Sequence, residues 1–159
     1  MEIERKWLVD RDRIPYDLSE LPSQRIEQAY IAFSPTIRVR SIDDGSCYVM
    51  TVKSHYGCDG DLSRSETEFP ISEEEYRNLL PLVQGNTVSK TRYRHVLASG
   101  LTEEIDVFSG PLNGLVYLEI EFPDEETARA YPTPDWVKKD VTSDHRYANS
   151  SLAQFGLPE

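Results

Sequence analysis

Glu2-Ile3-Glu4-Arg5-Lys6-Trp7 places a charge at every second position, beginning with residue 2. Alternate side chains of a β-strand share a face, so Glu2, Glu4 and Lys6 line up on one side and Ile3 and Trp7 on the other. One such strand is an ordinary solvated edge. Here the arrangement recurs in Arg38-Val39-Arg40, Glu66-Thr67-Glu68, Lys90-Thr91-Arg92, Glu104-Ile105-Asp106 and Glu119-Ile120-Glu121. Solvent faces usually mix signs and scatter Ser, Thr and Gln among them. These strands each carry mainly one sign, with an apolar or β-branched residue between the charges, which reads as a charged interior wall behind an apolar exterior.

Working outward from these pairs, strands are predicted at Glu2–Val9, Gln24–Phe33, Ile37–Ile42, Cys47–Lys53, Ser65–Pro70, Thr87–Leu97, Glu103–Phe108 and Leu115–Phe122. Asp43-Asp44-Gly45-Ser46 is a hairpin signal, because Asp-Gly supplies the positive φ of tight turns. The stretch from His55 to Asp61, with Gly57 and Gly60 as punctuation, reads as a longer loop. The period then changes. Ser72 with Glu75 forms a capping box opening a helix that runs to Leu80 and stops at Pro81. Asp124 caps a second helix, and a third spans Asn149–Phe155 and ends at Gly156. The predicted class is all-β dominated (α+β): a closed eight-stranded antiparallel barrel, which removes sheet edges, in a single domain covering residues 1–159. Ile3, Trp7, Val39, Val49 or its neighbours, Phe69, Ile105, Val107, Leu118, Ile120 and Phe122 are expected to face outward, with the helices covering them.

The 159 residues suffice for one sizeable core. A net charge of −11 argues against nucleic acid held by a general basic surface. It leaves room for phosphate inside a local basic lining. Cys47 and Cys58 fit no zinc spacing and read as free thiols, no apolar run approaches membrane-spanning length, and no signal peptide is visible. The expectation is a soluble cytoplasmic protein; a homodimer remains open. His55, His95 and His145 read as surface residues, and Tyr30 as a packed side chain. No glycine-rich phosphate loop occurs.

The proposed lining holds seven basic groups (Lys6, Arg38, Arg40, Lys53, Lys90, Arg92, Arg94) and eight carboxylates (Glu2, Glu4, Glu66, Glu68, Glu104, Asp106, Glu119, Glu121). So many enclosed charges need mutual pairing, water and ligands, since each desolvated ion costs several kcal/mol. Hard carboxylate oxygens select Mg²⁺ or Mn²⁺, two ions here, while Arg presents planar forks suited to phosphate oxygens.

In their order and spacing these motifs resemble the CYTH domain, or triphosphate tunnel metalloenzyme, family. The resemblance runs from Glu2 to the Asp144-His145-Arg146-Tyr147-Ala148-Asn149 stretch. It implies the tunnel fold and a divalent-metal-dependent hydrolase of small triphosphates, most of all inorganic tripolyphosphate. It further implies that Lys6, Arg38, Arg40, Lys53, Lys90 and Arg92 bind the phosphates, that Glu119 and Glu121 hold a substrate-orienting metal, and that Glu2, Glu4 and Lys6 are the catalytic set near a second metal and the attacking water. Glu66, Glu68, Glu104 and Asp106 are the further metal candidates. Arg146 and Tyr147 either plug one tunnel end or anchor a helix. An adenylate cyclase of the related class is the first alternative; its members carry residues upstream of the Glu-X-Glu-X-Lys strand, where only Met1 stands here. A non-catalytic polyphosphate-binding module is the second.

Overall fold

The structure is a computed structural model that describes residues 2–54 and 63–158. Its strands are β1 (Glu2–Leu8), β2 (Ser23–Phe33), β3 (Thr36–Ile42), β4 (Cys47–Ser54), β5 (Ser63–Pro70), β6 (Gln84–Val96), β7 (Thr102–Ser109), β8 (Val116–Glu121) and a short β9 (Lys139–Asp140). The helices are α1 (Glu73–Leu79), α2 (Glu125–Ala130) and α3 (Asn149–Phe155). His55, Gly57, Cys58 and Gly60 lie outside the described residues.

The sheet order is β5-β4-β3-β2-β6-β7-β8-β1-β9, and β5 also pairs with β1. Eight antiparallel strands therefore form a ring. One edge of β1 runs beside β8, from Glu4↔Glu121 to Leu8↔Tyr117. The other edge meets β5 at Glu2↔Arg64 and Ile3↔Ser63, then β9 at Trp7↔Asp140 and Leu8↔Lys139. The ninth strand, absent from the sequence prediction, takes over the seam where β5 leaves it. Two residues carry no usable period, so only the waiting edge of β1 defines it.

Local signals set most boundaries. The Ser72–Glu75 capping box is formed, with the Ser72 hydroxyl accepting from the Glu75 amide. α1 tightens into a 3-10 turn at Leu80–Leu82, where Pro81 cannot continue the α-helical bonding. At the β3–β4 hairpin Asp43, Asp44 and Gly45 all take positive φ, the conformation that primed turns demand.

Trp7, Ile105, Leu118 and Ile120 are fully buried on the outer face of the ring. They form one core with Leu18, Phe122 and Ala128 of α2, with Tyr131, Trp136 and Val137 packed alongside. Arg5, also outward, donates to the carbonyls of Ala128 (3.1 Å) and Tyr131 (2.5 Å) and to Asp140 (2.7 Å). That ties α2 and β9 to β1.

Two outward expectations are corrected, and one open choice is decided. Val49 shares the face of Thr51 and Lys53, so its neighbours Tyr48 and Met50, with Val52, are the outward members of β4 by alternation. Phe69 is 41 % exposed rather than covered. And α3 does not clad the outside: its Leu152 and Ala153 join Tyr30, Val88, Phe108 and Tyr117, the residues that continue the inward faces of their strands beyond the charged ones. α3 stoppers one end of the ring. Gly85, at φ +72, permits this close approach, since a Cβ there would lie 2.6 Å from the Ala153 carbonyl oxygen. Gly85→Ala is accordingly expected to lower stability by more than about 1 kcal/mol, read as a lower denaturant midpoint, because neither the left-handed backbone nor the contact accepts a methyl group.

Candidate active site

The inward faces enclose a cavity of about 310 Å³. Of the fifteen residues predicted to line it, fourteen do: Glu2, Glu4, Lys6, Arg38, Arg40, Lys53, Glu66, Glu68, Lys90, Arg92, Arg94, Glu104, Glu119 and Glu121. Strand alternation delivers the charges, and register decides which signs meet. Lys6 stands opposite Glu119, and Glu4 opposite Glu121. Arg92 faces Asp106, and Lys53 faces Glu66.

Asp106 is the exception. It is fully buried and is not among the cavity-lining residues; its carboxylate receives Lys90 at 2.8 Å and Arg92 at 2.8 and 2.9 Å. The structure thus withdraws it from the metal candidates: both oxygens are spent on protein cations. Burial would raise its pKa, but Arg92 first and then Lys90 hold it far below the carboxylate range.

The cavity is electrically divided. On one side Arg38, Arg40, Lys90 and Arg92 crowd together from β3 and β6. Burial, then the neighbouring Arg38 and Arg92, pushes the Arg40 guanidinium down to about 9. Lys90 is pushed down to about 7 by burial, with Arg92 and Arg40 adding to the effect and Asp106 opposing it. On the other side the carboxylates crowd. Burial, then Glu119 and Glu2, raises Glu4 to about 8. Glu2 is raised by burial and by its hydrogen bond with Glu66, and Glu121 by burial, Glu2 and Glu104. Glu119 moves oppositely: burial works against its ionisation, yet Lys6, Arg92 and Lys90 bring it down to about 2. Lys53 bridges the halves, reaching Glu2 at 2.9 Å and Glu66 at 3.7 Å. Burial and Arg38 oppose its charge, but Glu2, Glu4 and Glu66 win and raise its pKa.

Several buried polar atoms lack hydrogen-bond partners among the described residues: Arg38 Nε, Glu66 Oε2 and Glu119 Oε1. Three unmatched groups around one polar cavity mark a ligand-shaped demand. An anion would satisfy the first and a cation the other two. No three His, Cys, Asp or Glu side chains among the described residues form a ready-made metal cage.

Charge patterning overlooked the neutral members. Tyr30, Thr36, Thr142, Asn149 and Ser150 also line the cavity, as do Asp144 and His145. Tyr30 is both packed and cavity-lining, stacked on Phe33 with centroids 5.6 Å apart. His145 is exposed, as expected of it, yet borders the cavity. His95 sits elsewhere, on the outer face with Tyr16 and Glu103 (Nδ1 to Oε1 3.0 Å). The C-terminal segment arrives by zipping along β1: the Val141 amide donates to the Lys6 carbonyl (2.9 Å) and the Lys6 amide to Thr142 Oγ1 (3.1 Å). The Tyr147 carbonyl accepts from Tyr117 and from Lys6 Nζ (3.4 Å). Arg146 points away, exposed and paired with Asp144 at 2.7 Å. Tyr147 belongs to the stopper and Arg146 does not.

Among the described residues no helix is long and apolar enough to cross a membrane.

Known proteins are similar to this chain along nearly its whole length. The curated inorganic triphosphatase of Nitrosomonas europaea is 40% identical over 154 residues, covering 96% of each chain. That of Acetivibrio thermocellus is 36% identical over 156 residues, covering 96% of this chain and 93% of the relative. A solved structure of an inorganic triphosphatase superposes with a TM-score of 0.67 at 36% identity, covering 96% of this chain and 94% of that one. The CYTH domain profile matches residues 1–150, which takes in all nine strands and the start of the stopper; this chain belongs to the CYTH domain family.

Proposed function

We propose that this protein is a divalent-metal-dependent triphosphatase whose principal substrate is inorganic tripolyphosphate, with Mg²⁺ or Mn²⁺ as cofactor. One observation carries the reading. The two halves of the cavity are unbalanced in opposite senses, with Arg40 depressed among cations and Glu4 raised among carboxylates. A triphosphate relieves the first imbalance, and divalent cations relieve the second. Relatives named inorganic triphosphatase over almost the full chain support the same substrate class.

Arg38, Arg40, Lys90 and Arg92 would bind the phosphate oxygens, with Lys6 and Lys53 between the two walls. Glu2, Glu4, Glu119 and Glu121 would hold the metal, joined by Glu66, whose Oε2 accepts no hydrogen bond and has only Lys53 Nζ at 3.7 Å. Glu104 and Glu68 would orient arginines instead: Glu104 lies 3.1 Å from Arg94 and 3.5 Å from Arg92, and Glu68 lies 3.8 Å from Arg38 while accepting from Thr51 at 2.9 Å. When bound, a divalent cation supplies Lewis-acid stabilisation of phosphoryl oxygens and lowers the pKa of a coordinated water. The guanidinium groups stabilise charge spreading over the transferred group, which is the main catalytic demand of phosphoryl transfer. Water oxygen bonds to a terminal phosphorus, the phosphorus–bridging-oxygen bond breaks, and phosphate and pyrophosphate result.

A substrate panel after metal stripping tests the reading. With Mg²⁺ or Mn²⁺, tripolyphosphate is expected to give equimolar phosphate and pyrophosphate, faster than ATP or thiamine triphosphate. In excess chelator the rate should fall by at least about a hundred-fold. Undiminished phosphate release in chelator would remove the metal, and release of cyclic nucleotide from ATP would favour the cyclase.

A further inference from the structure

Gln28 is completely buried on β2, on the same face as the lining charges of the neighbouring strands. Its Oε1 accepts two hydrogen bonds from Arg40, Nε at 3.0 Å and Nη2 at 2.6 Å. Its Nε2 donates to Asn149 Oδ1 at 3.0 Å and reaches the Tyr30 hydroxyl at 3.3 Å. Asn149 Oδ1 also accepts from Lys90 Nζ at 3.2 Å. The orientation of both amides is dictated by their neighbours. Guanidinium and ammonium groups only donate, so each must face an amide oxygen. The NH₂ group of Asn149 is thereby turned away from Gln28 and Lys90.

The other lining cations are held by carboxylates: Lys53 by Glu2, Arg92 by Asp106, Lys6 by Glu119, Arg38 by Glu68 and Arg94 by Glu104. Arg40 has no ion pair among the described residues. Lys90 has one, but shares its Asp106 with Arg92. A carboxylate at position 28 would have the shape to make the same fork and would cancel the charge it holds. An amide fixes the geometry and leaves the charge in place.

We propose that Gln28 and Asn149 are positioning residues that aim Arg40 and Lys90 at the stoppered end of the tunnel without neutralising them, making that end the subsite for a terminal phosphoryl group. The proposal rests on the triphosphate reading and adds where and how the chain end is held.

Gln28→Glu and Asn149→Asp, nearly isosteric, supply the missing negative charge. Each is expected to raise KM for tripolyphosphate roughly ten-fold or more, as a charge-assisted contact is lost. The Mn²⁺ titration midpoint should stay within about twofold, since no metal candidate is touched. The affinity for tripolyphosphate in excess chelator, measured calorimetrically without turnover, should fall in parallel. Gln28→Met removes the hydrogen bonds but adds no charge, so binding should rank wild type, then Met, then Glu. A folded Gln28→Glu protein with wild-type KM and affinity overturns the proposal, as does a Met variant that binds more weakly than the Glu variant. If Gln28→Glu does not fold, Asn149→Asp, at the cavity surface, decides by the same criteria. Wild-type binding without hydrolysis would sink the proposed activity and leave this subsite standing. Wild-type hydrolysis with unaffected variants would do the reverse.

Discussion

Asp106→Ala is expected to destabilise the protein by about 3–5 kcal/mol, enough to consume a large part of the total stability of a typical domain. The carboxylate is fully buried and answers two cations, Lys90 and Arg92. Removing it strands both. The cost is that of uncompensated charge in low dielectric, well above the value of any exposed ion pair in the molecule. Asp106→Asn should cost less, because an amide oxygen still accepts from Arg92. The depressed pKa also has a pH signature. The carboxylate's contribution is fully present above the ordinary Asp range and is lost as pH falls toward the folded value, so the wild-type advantage over Asp106→Ala should shrink in acid. Equilibrium denaturation of the three proteins across pH measures this. A loss below about 1 kcal/mol at neutral pH would mean that Lys90 and Arg92 find other partners, and the division of the cavity would have to be redrawn.

Glu4→Gln is expected to move stability and activity in opposite directions. Glu4 is raised to about 8 by burial and by the Glu119 and Glu2 carboxylates. Between the ordinary Glu range and that value the folded protein keeps a proton that the unfolded chain has lost. The slope of stability with pH is therefore negative for this group across that window. Metal-free wild type should lose stability relative to Glu4→Gln as pH rises from about 5 to about 8, the two proteins being nearly equal at the acid end. Turnover with saturating Mg²⁺ should fall on the order of a hundred-fold in the variant, because the amide cannot replace the anion beside the metal. Metal should in turn stabilise the wild type more at pH 8 than at pH 6, and the variant less at both. Parallel thermal profiles for wild type and variant over the whole range would show that Glu4 ionises freely and that the acidic half is not under electrostatic pressure.

The wall of the tunnel was legible because two independent regularities coincide in it: a period of two, and mainly one sign within each strand. Trp7, Ile105, Leu118 and Ile120 sit between the charges and mark the outside by the same alternation. What the pattern could not separate was carboxylates with different partners. Glu104-Ile105-Asp106 and Glu119-Ile120-Glu121 look alike, and only the register that sets Asp106 against Arg92 turns the former into a structural anchor. Neutral residues were silent for a related reason. Gln28 follows Gln24 and Ile26 on a face that resembles any half-polar strand, and Asn149 reads as the start of a short helix. Their roles come from contacts separated by 121 residues in sequence. The stopper was misplaced because apolar residues of a short helix, Leu152 and Ala153, fit a cladding helix equally well. No periodicity tells the outside of a barrel from its end.

The seam along β1 has a consequence for how the molecule comes into being on the ribosome. β1, made before the other described strands, borders β5, β8 and β9, and its β9 partner, Asp140, is translated about 130 residues later. At common elongation rates that is a wait of roughly 7–25 s. Until β5 and then β8 emerge within that interval, a strand bearing alternating carboxylates and apolar residues has both edges unpaired. Its charges would act as guardians then, discouraging edge-to-edge association with other nascent chains before they are called on to do chemistry.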